Sequence, residues 1–180
     1  GRIPTSDQDE VMYTLDKITR FEQDASEWKN NALHAGSMLF YKNQDYQYDI
    51  EDDIDGATCL HAIEEDLMKD WDIDHQSEHE GLSPSIYSWD ALTEPAFTKQ
   101  WRSGKYAVVN WAGHGSATGV GRTIWDNDDG NNIPEHSKNE LRGEAQININ
   151  SYLEDDYPSI VFAVSCLVGY PEPTGYGNLG

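Results

Sequence analysis

Apolar and polar positions along the chain fall into blocks that switch between a helical and an extended period. Ser6-Asp7 followed by Glu10 has the form of a capped helix start, and Val11, Leu15, Ile18 and Phe21 then recur at helical spacing to about Gln23, which predicts an amphipathic surface helix. Ala32 to Tyr41 has the length and apolarity of a buried strand, with His34 inside it as a hydrogen-bonded core histidine rather than a ligand. After Gly56, the stretch from Ala57 to Asp70 is helical, with Leu60, Ile63 and Leu67 on one face. Asp72 to Trp89 is polar and follows neither period. Thr93-Glu94-Pro95 opens a further helix, with Pro in its first turn, that runs to about Arg102 and ends at Ser103-Gly104. Two short apolar runs follow, and each ends on a reactive side chain. Tyr106 to Ala112 stops at Gly113-His114-Gly115, and Ser159 to Ser165 delivers Cys166. Gly115 to Gly121 reads as a glycine-rich loop, and Asn139 to Glu154 as a helix or an irregular return. Strands alternate with helices and nothing repeats, so the pattern predicts an α/β fold with a mainly parallel sheet. In such a sheet, chemistry collects at the carboxyl ends of the strands, where both motifs end.

The chain has 180 residues, enough for one domain over 1–180 with a sizeable core. Its 33 Asp and Glu against 12 Lys and Arg give a net charge of −21, which repels nucleic acid and anionic membranes and favours cations and basic partners. The same excess suits a salt-rich or calcium-rich medium outside the cell. No apolar run is long enough to span a membrane. The chain opens on Gly1-Arg2-Ile3-Pro4 and stops just after Pro171-Glu172-Pro173, as a processed or cropped piece of a longer protein would.

Two acidic stretches need cations or solvent. Lys42 to Asp55 carries Asp45, Asp49, Glu51, Asp52, Asp53 and Asp55. Asp126, Asp128 and Asp129 surround Gly130, with Glu135 downstream, and loosely resemble a calcium loop. The standard EF-hand register fails because position 136 is His. Calcium as a structural ion and a plain acidic turn both remain open there. His75 and His79 have a spacing that suits a metal only on a formed helix. Of the two cysteines, Cys59 reads as a small buried thiol within a helix, and two thiols alone make no disulfide framework.

A thiol becomes a competent nucleophile when a nearby base favours its thiolate, and histidine is the side chain best matched to carry that proton. His114 and Cys166 lie 52 residues apart, so only the fold can make them neighbours. Asn110-Trp111-Ala112-Gly113-His114-Gly115-Ser116 and Val161-Phe162-Ala163-Val164-Ser165-Cys166 resemble the His-Gly and nucleophile blocks of the caspase-like clan of cysteine peptidases, and within it most closely the gingipain family. Gly1-Arg2-Ile3-Pro4 and the helix after it are similar to the upstream segment of that family. The resemblance implies a caspase-like three-layer sandwich, incomplete in this chain, whose sheet another chain or segment completes; 1–180 would be a single, partial peptidase domain. It also implies that Cys166 attacks the scissile carbonyl, that His114 protonates the leaving amine, and that the Gly115 and Cys166 N–H groups form the oxyanion hole. No cofactor is then required for catalysis, and Asp45 and Asp49 both stand as candidates for an acid behind the His. An Asp at the start of a helix closes the gingipain substrate pocket; Asp55-Gly56-Ala57 opens the corresponding helix here. This implies cleavage after Arg or Lys, with Ala112 and Val164 on the pocket walls, although Asp55 is equally a common helix cap.

Two rival readings stand beside the peptidase. One is a non-catalytic, calcium-binding relative that serves as a binding or assembly module. The other is a zinc hydrolase built on His75, His79 and carboxylates.

Overall fold

The computed structural model describes residues 7–47, 49–148, 153 and 156–166. Helix α1 is Gln8–Gln23; its cap is Asp7, whose carboxylate accepts the N–H groups of Asp9 and Glu10. No residue of α1 is buried and Leu15 and Ile18 are exposed, so its apolar face is largely uncovered by the described residues. Phe21 anchors its end, meeting Trp28 edge-on at 5.7 Å.

Strand β1, Asn31–Gly36, lies at the centre of a five-stranded sheet. Its companions are β4 (Asp72–Ser77), β5 (Asp90–Ala91), β6 (Val108–Ala112) and β10 (Ile160–Val164), in the order β10-β6-β1-β4-β5 with every pairing parallel. Helices α2 (Gly56–Leu67) and α3 (Glu94–Ser103, capped by Thr93) flank it. This is the α/β architecture with a mainly parallel sheet that the periodicity predicts, and it fits a caspase-like sandwich. The core lies on the face carrying Leu33, Ala35, Val109 and Trp111, which pack on Phe97 of α3 and on Leu92, Val120 and Ile147. Truncating a fully buried member such as Leu33 to Ala would cost roughly 2–5 kcal/mol. Among the described residues, no helix is long and apolar enough to cross a membrane.

Several expectations are corrected. The single strand expected over Ala32 to Tyr41 breaks at Ser37. There the chain leaves the parallel sheet, Ser37 N–H donating to Ala112 O and Ser37 O accepting from Gly56 N–H, both at 2.9 Å. The next segment, β2 (Met38–Phe40), pairs antiparallel with β3 (Ile54–Asp55). Asp72 to Trp89, which followed no period, holds an inner strand. Polar β4 is stable because partners replace apolarity: Tyr106 Oη donates to Asp74 at 2.5 Å, His75 meets Glu64 at 2.8 Å, and Ser77 donates to Tyr87 O at 2.9 Å. His75 therefore sits on a strand and His79 beyond its end, so the helical spacing needed for a shared metal does not form. Cys59 is exposed, because α2 turns Gly56, Ala57 and Leu60 inward; both cysteines are free.

Gly115 to Gly121 is not simply a loop, and the described part of the stretch expected as a helix or an irregular return, up to Asn148, is largely a strand. They contribute β7 (His114–Ser116), β8 (Gly119–Trp125) and β9 (Leu141–Asn148) to an antiparallel three-stranded sheet. The glycines that suggested a loop are strand glycines: a Cβ on Gly121 would stand 2.8 Å from Glu144 O on the neighbouring strand. The run expected to be a buried strand, β10, is an edge strand among the described residues, with Ile160, Val161, Phe162 and Val164 all exposed.

Candidate active site

The site begins where the parallel sheet hands the chain to the antiparallel one. β6 ends at Ala112, Gly113 crosses, and His114 opens β7. Only glycine fits the crossing, since a Cβ on Gly113 would lie 2.4 Å from Ser37 Oγ and 2.6 Å from the Trp111 ring. Trp111 Nε1 donates to His114 O at 3.1 Å, and the Phe40 ring stands edge-on to the His114 ring at 6.1 Å. Burial, and then the nearby His136, hold the His114 imidazole below the ordinary histidine value, although a hydrogen bond to the Leu39 backbone pulls the other way. His114 is thus a neutral, half-buried ring at neutral pH, able to accept a proton.

Cys166 lies two residues past the end of the neighbouring strand and is exposed. β10 pairs with β6 so that Val164 stands opposite Ala112, and Gly113 N–H donates to Val164 O at 3.2 Å. His114 and Cys166 each follow their member of that pair by two residues, so adjacent strands carry imidazole and thiol to the same level of the sheet's carboxyl edge. Gly115 lies within β7, opposite Val120.

Of the carboxylates expected around the site, Asp55 and Asp45 are committed to partners. Asp55 caps α2: its Oδ1 accepts Ala57 N–H at 2.9 Å, and its Oδ2 accepts the Ser85 hydroxyl at 2.6 Å. Its helix start abuts the sheet edge, because a Cβ on Gly56 would stand 2.2 Å from Ala112 O. Ala112 is fully buried and Val164 is half-exposed. Asp45 is bound to His136, with Nδ1 to Oδ2 at 2.6 Å and the His136 N–H to Oδ1 at 2.9 Å; Asp49 is exposed. Burial raises the Asp45 carboxyl, but its bonds to His136 outweigh this and hold it below its usual value. A cavity of about 300 Å³ opens beside His114, lined also by Gly115, Val120, Arg122, Glu144 and Ile147. Neither Cys166 nor Asp55 lines it.

The acidic loop from Asp126 to Glu135 divides. Asp126 is taken by Arg142, whose Nε and Nη2 donate to it at 2.5 and 3.2 Å, and Asp129 is held by Lys138 Nζ at 3.2 Å. Glu135 is buried and accepts the Asn131 amide at 3.0 Å. The carboxylates brought within 4.8 Å of one another are Asp128, Asp129 and Glu140. Glu140 had no sequence signal, since it joins the loop only because β9 returns beside β8. Ser37, Phe40 and His136, which frame His114, went unread for the same reason: they lie 77, 74 and 22 residues from it. A second group that could hold a metal combines His34, Glu64 and His75.

No curated protein and no solved structure matches the chain. The model of peptidase family C25 matches residues 1–175, nearly the whole sequence and both blocks that carry His114 and Cys166. The chain therefore belongs to peptidase family C25, the gingipain family, and is a cysteine-type peptidase, a hydrolase with protein substrates.

Proposed function

We propose that this chain is a secreted endopeptidase that uses a Cys166/His114 dyad to cut after Arg or Lys. The observation that carries the reading is the strand register, with Val164 opposite Ala112 and the thiol and imidazole each two residues beyond. His114 takes the Cys166 proton, the thiolate attacks the scissile carbonyl carbon, and His114 returns the proton to the leaving amine. Water then attacks the acyl-enzyme with His114 as base. The N–H groups of Gly115 and Cys166 receive the oxyanion, each such donor lowering the barrier by roughly 3–4 kcal/mol.

Asp55 is the specificity residue. A carboxylate at the base of a partly desolvated pocket pairs with a guanidinium or ammonium and is left unpaired by an apolar side chain. Val164 forms the neighbouring wall, Ala112 backs it, and the charge of −21 draws basic substrates in. Asp55→Asn preserves an Oδ1 acceptor for Ala57 N–H, so the helix cap and the fold hold. Cleavage after Arg, relative to a neutral residue, should fall about 100-fold or more. A fluorogenic panel varying only the residue before the scissile bond measures this. A wild-type preference for Asp or for large apolar residues would refute the pocket.

The acid limb of the pH profile follows from His114. Its imidazole must be neutral to accept the thiol proton, and burial lowers its pKa, so kcat/KM should persist to lower pH than an ordinary histidine allows. His136→Asn removes a neighbour that holds the His114 pKa down and should move that limb upward. A limb unmoved by this change would exclude the His136 contribution.

The Asp128, Asp129 and Glu140 cluster favours a second reading, a calcium site that stabilises the loop or serves an assembly role. Millimolar calcium, but not magnesium, should then raise the melting temperature by mass action. Glu140→Gln should remove the shift, and no shift in the wild type would leave a loop held by its own hydrogen bonds and by Arg142 and Lys138.

A further inference from the structure

The sheet face beneath α2 carries a row of polar side chains in the interior. Register puts Asn110, His34 and His75 side by side on β6, β1 and β4. His34 is fully buried and Asn110 nearly so. One His34 nitrogen, Nε2, meets Asn110 Nδ2 at 2.9 Å. The other, Nδ1, is buried and has no hydrogen-bond partner among the described residues. From α2, Glu64 Oε2 reaches His75 Nε2 at 2.8 Å, and the His75 ring stands edge-on to His34 at 5.8 Å, with Trp89 packed against it at 4.6 Å. One ligand atom from each of His34, Glu64 and His75 lies within 4.8 Å of the others.

We propose that His34, Glu64 and His75 bind a zinc-type divalent transition metal ion that ties α2 to the central strands. Two imidazoles and a carboxylate are a borderline-soft ligand set suited to zinc and poorly suited to calcium or magnesium. Ligand atoms around a tetrahedral zinc at about 2.0–2.1 Å stand roughly 3.3 Å from each other. The His75 to Glu64 contact therefore opens slightly and the His34 nitrogen closes in. Bound through Nδ1, His34 keeps its proton on Nε2, so the Asn110 amide turns its oxygen toward that nitrogen and accepts its N–H, as supporting partners of metal-bound histidines do. Metal binding needs a neutral imidazole, and burial followed by the neighbouring His75 pushes His34 down to about 4. His75 and Glu64 are about a quarter exposed, which gives the ion a way in and leaves its fourth position to solvent. The site is separate from the Cys166/His114 pair and does not depend on the peptidase reading.

The test uses the full chain carrying Cys59→Ser and Cys166→Ala, so that neither thiol can bind the ion. After chelator treatment, zinc chloride is titrated by calorimetry and thermal melts are recorded with and without it. One equivalent should bind and raise the melting temperature, and cobalt(II) should give the visible spectrum of a four-coordinate site with nitrogen and oxygen ligands. His75→Ala and Glu64→Gln, at half-buried positions where folding is checked by a cooperative metal-free melt, should each weaken zinc binding tenfold or more and abolish the shift. Absence of one-equivalent binding in the parent, or weakening of less than tenfold in both variants, overturns the proposal.

Discussion

Cys166→Ala and His114→Ala should each lower kcat/KM for peptide cleavage by a factor on the order of 10⁴ or more, with little change in melting temperature. The size of the effect follows from the proposed division of labour: without the thiol there would be no acyl-enzyme, and without the imidazole neither the thiol nor the leaving amine would have a proton carrier. The double variant should be scarcely worse than either single one, because groups acting as a unit do not contribute additively. Folding should survive, since Cys166 is exposed and lies beyond the strand end, while the half-buried His114 ring meets the Phe40 ring edge-on and bonds the Leu39 backbone at the sheet's edge, outside the main core. Steady-state kinetics beside a thermal melt checks both halves. A Cys166→Ala protein that still cleaves at near wild-type rate would remove the dyad from the mechanism.

Arg122→Met should destabilise the protein by about 3–5 kcal/mol, because the guanidinium holds two sheets together from inside. Its side chain is almost fully buried; Nη1 donates to Glu78 at 2.8 Å and to Leu92 O at 2.7 Å. Nη2 donates to Glu80 at 2.7 Å and to Glu144 at 2.6 Å. Glu78 and Leu92 belong to the carboxyl edge of the parallel sheet, whereas Arg122 and Glu144 belong to β8 and β9. Removing the cation leaves Glu78, fully buried and already raised by desolvation, without its ion partner. For a domain of this size the loss corresponds to roughly 6–20 °C in melting temperature. Arg122→Lys should recover part of it, because one ammonium cannot replace a fork bonded on three sides. Adding Glu78→Leu to Arg122→Met should recover more, by removing the stranded charge. A change of under about 0.5 kcal/mol for Arg122→Met would mean that water, not Arg122, satisfies these carboxylates.

What the sequence revealed depended on how local each signal is. The caps at Asp7, Asp55 and Thr93, the apolar run of β6 and the first half of the run that forms β1 are set by neighbours a few residues away, and these are found where the pattern predicts. β4 was illegible because Asp74, His75 and Gln76 gain their stability from Tyr106, Glu64 and Gln100, which periodicity cannot see. β7 and β8 carry a misleading local signal, because glycine marks a loop locally, yet at Gly121 it answers a close approach by Glu144, which lies 23 residues on. The proposed dyad carries a local signal, for His114 and Cys166 each end an apolar run. Their surroundings were harder: Asp45, a candidate partner for His114, is bound to His136 91 residues away.

The most direct test of the account is the rate at which iodoacetamide alkylates the two cysteines of the native protein, read separately for each by peptide mass analysis. Both thiols are exposed, so access does not favour either, and a difference reports thiolate character. Cys166 should react at least tenfold faster than Cys59, and His114→Ala should erase the difference while leaving Cys59 unchanged. Equal rates in the wild-type protein, or a Cys166 advantage that survives His114→Ala, would contradict the dyad.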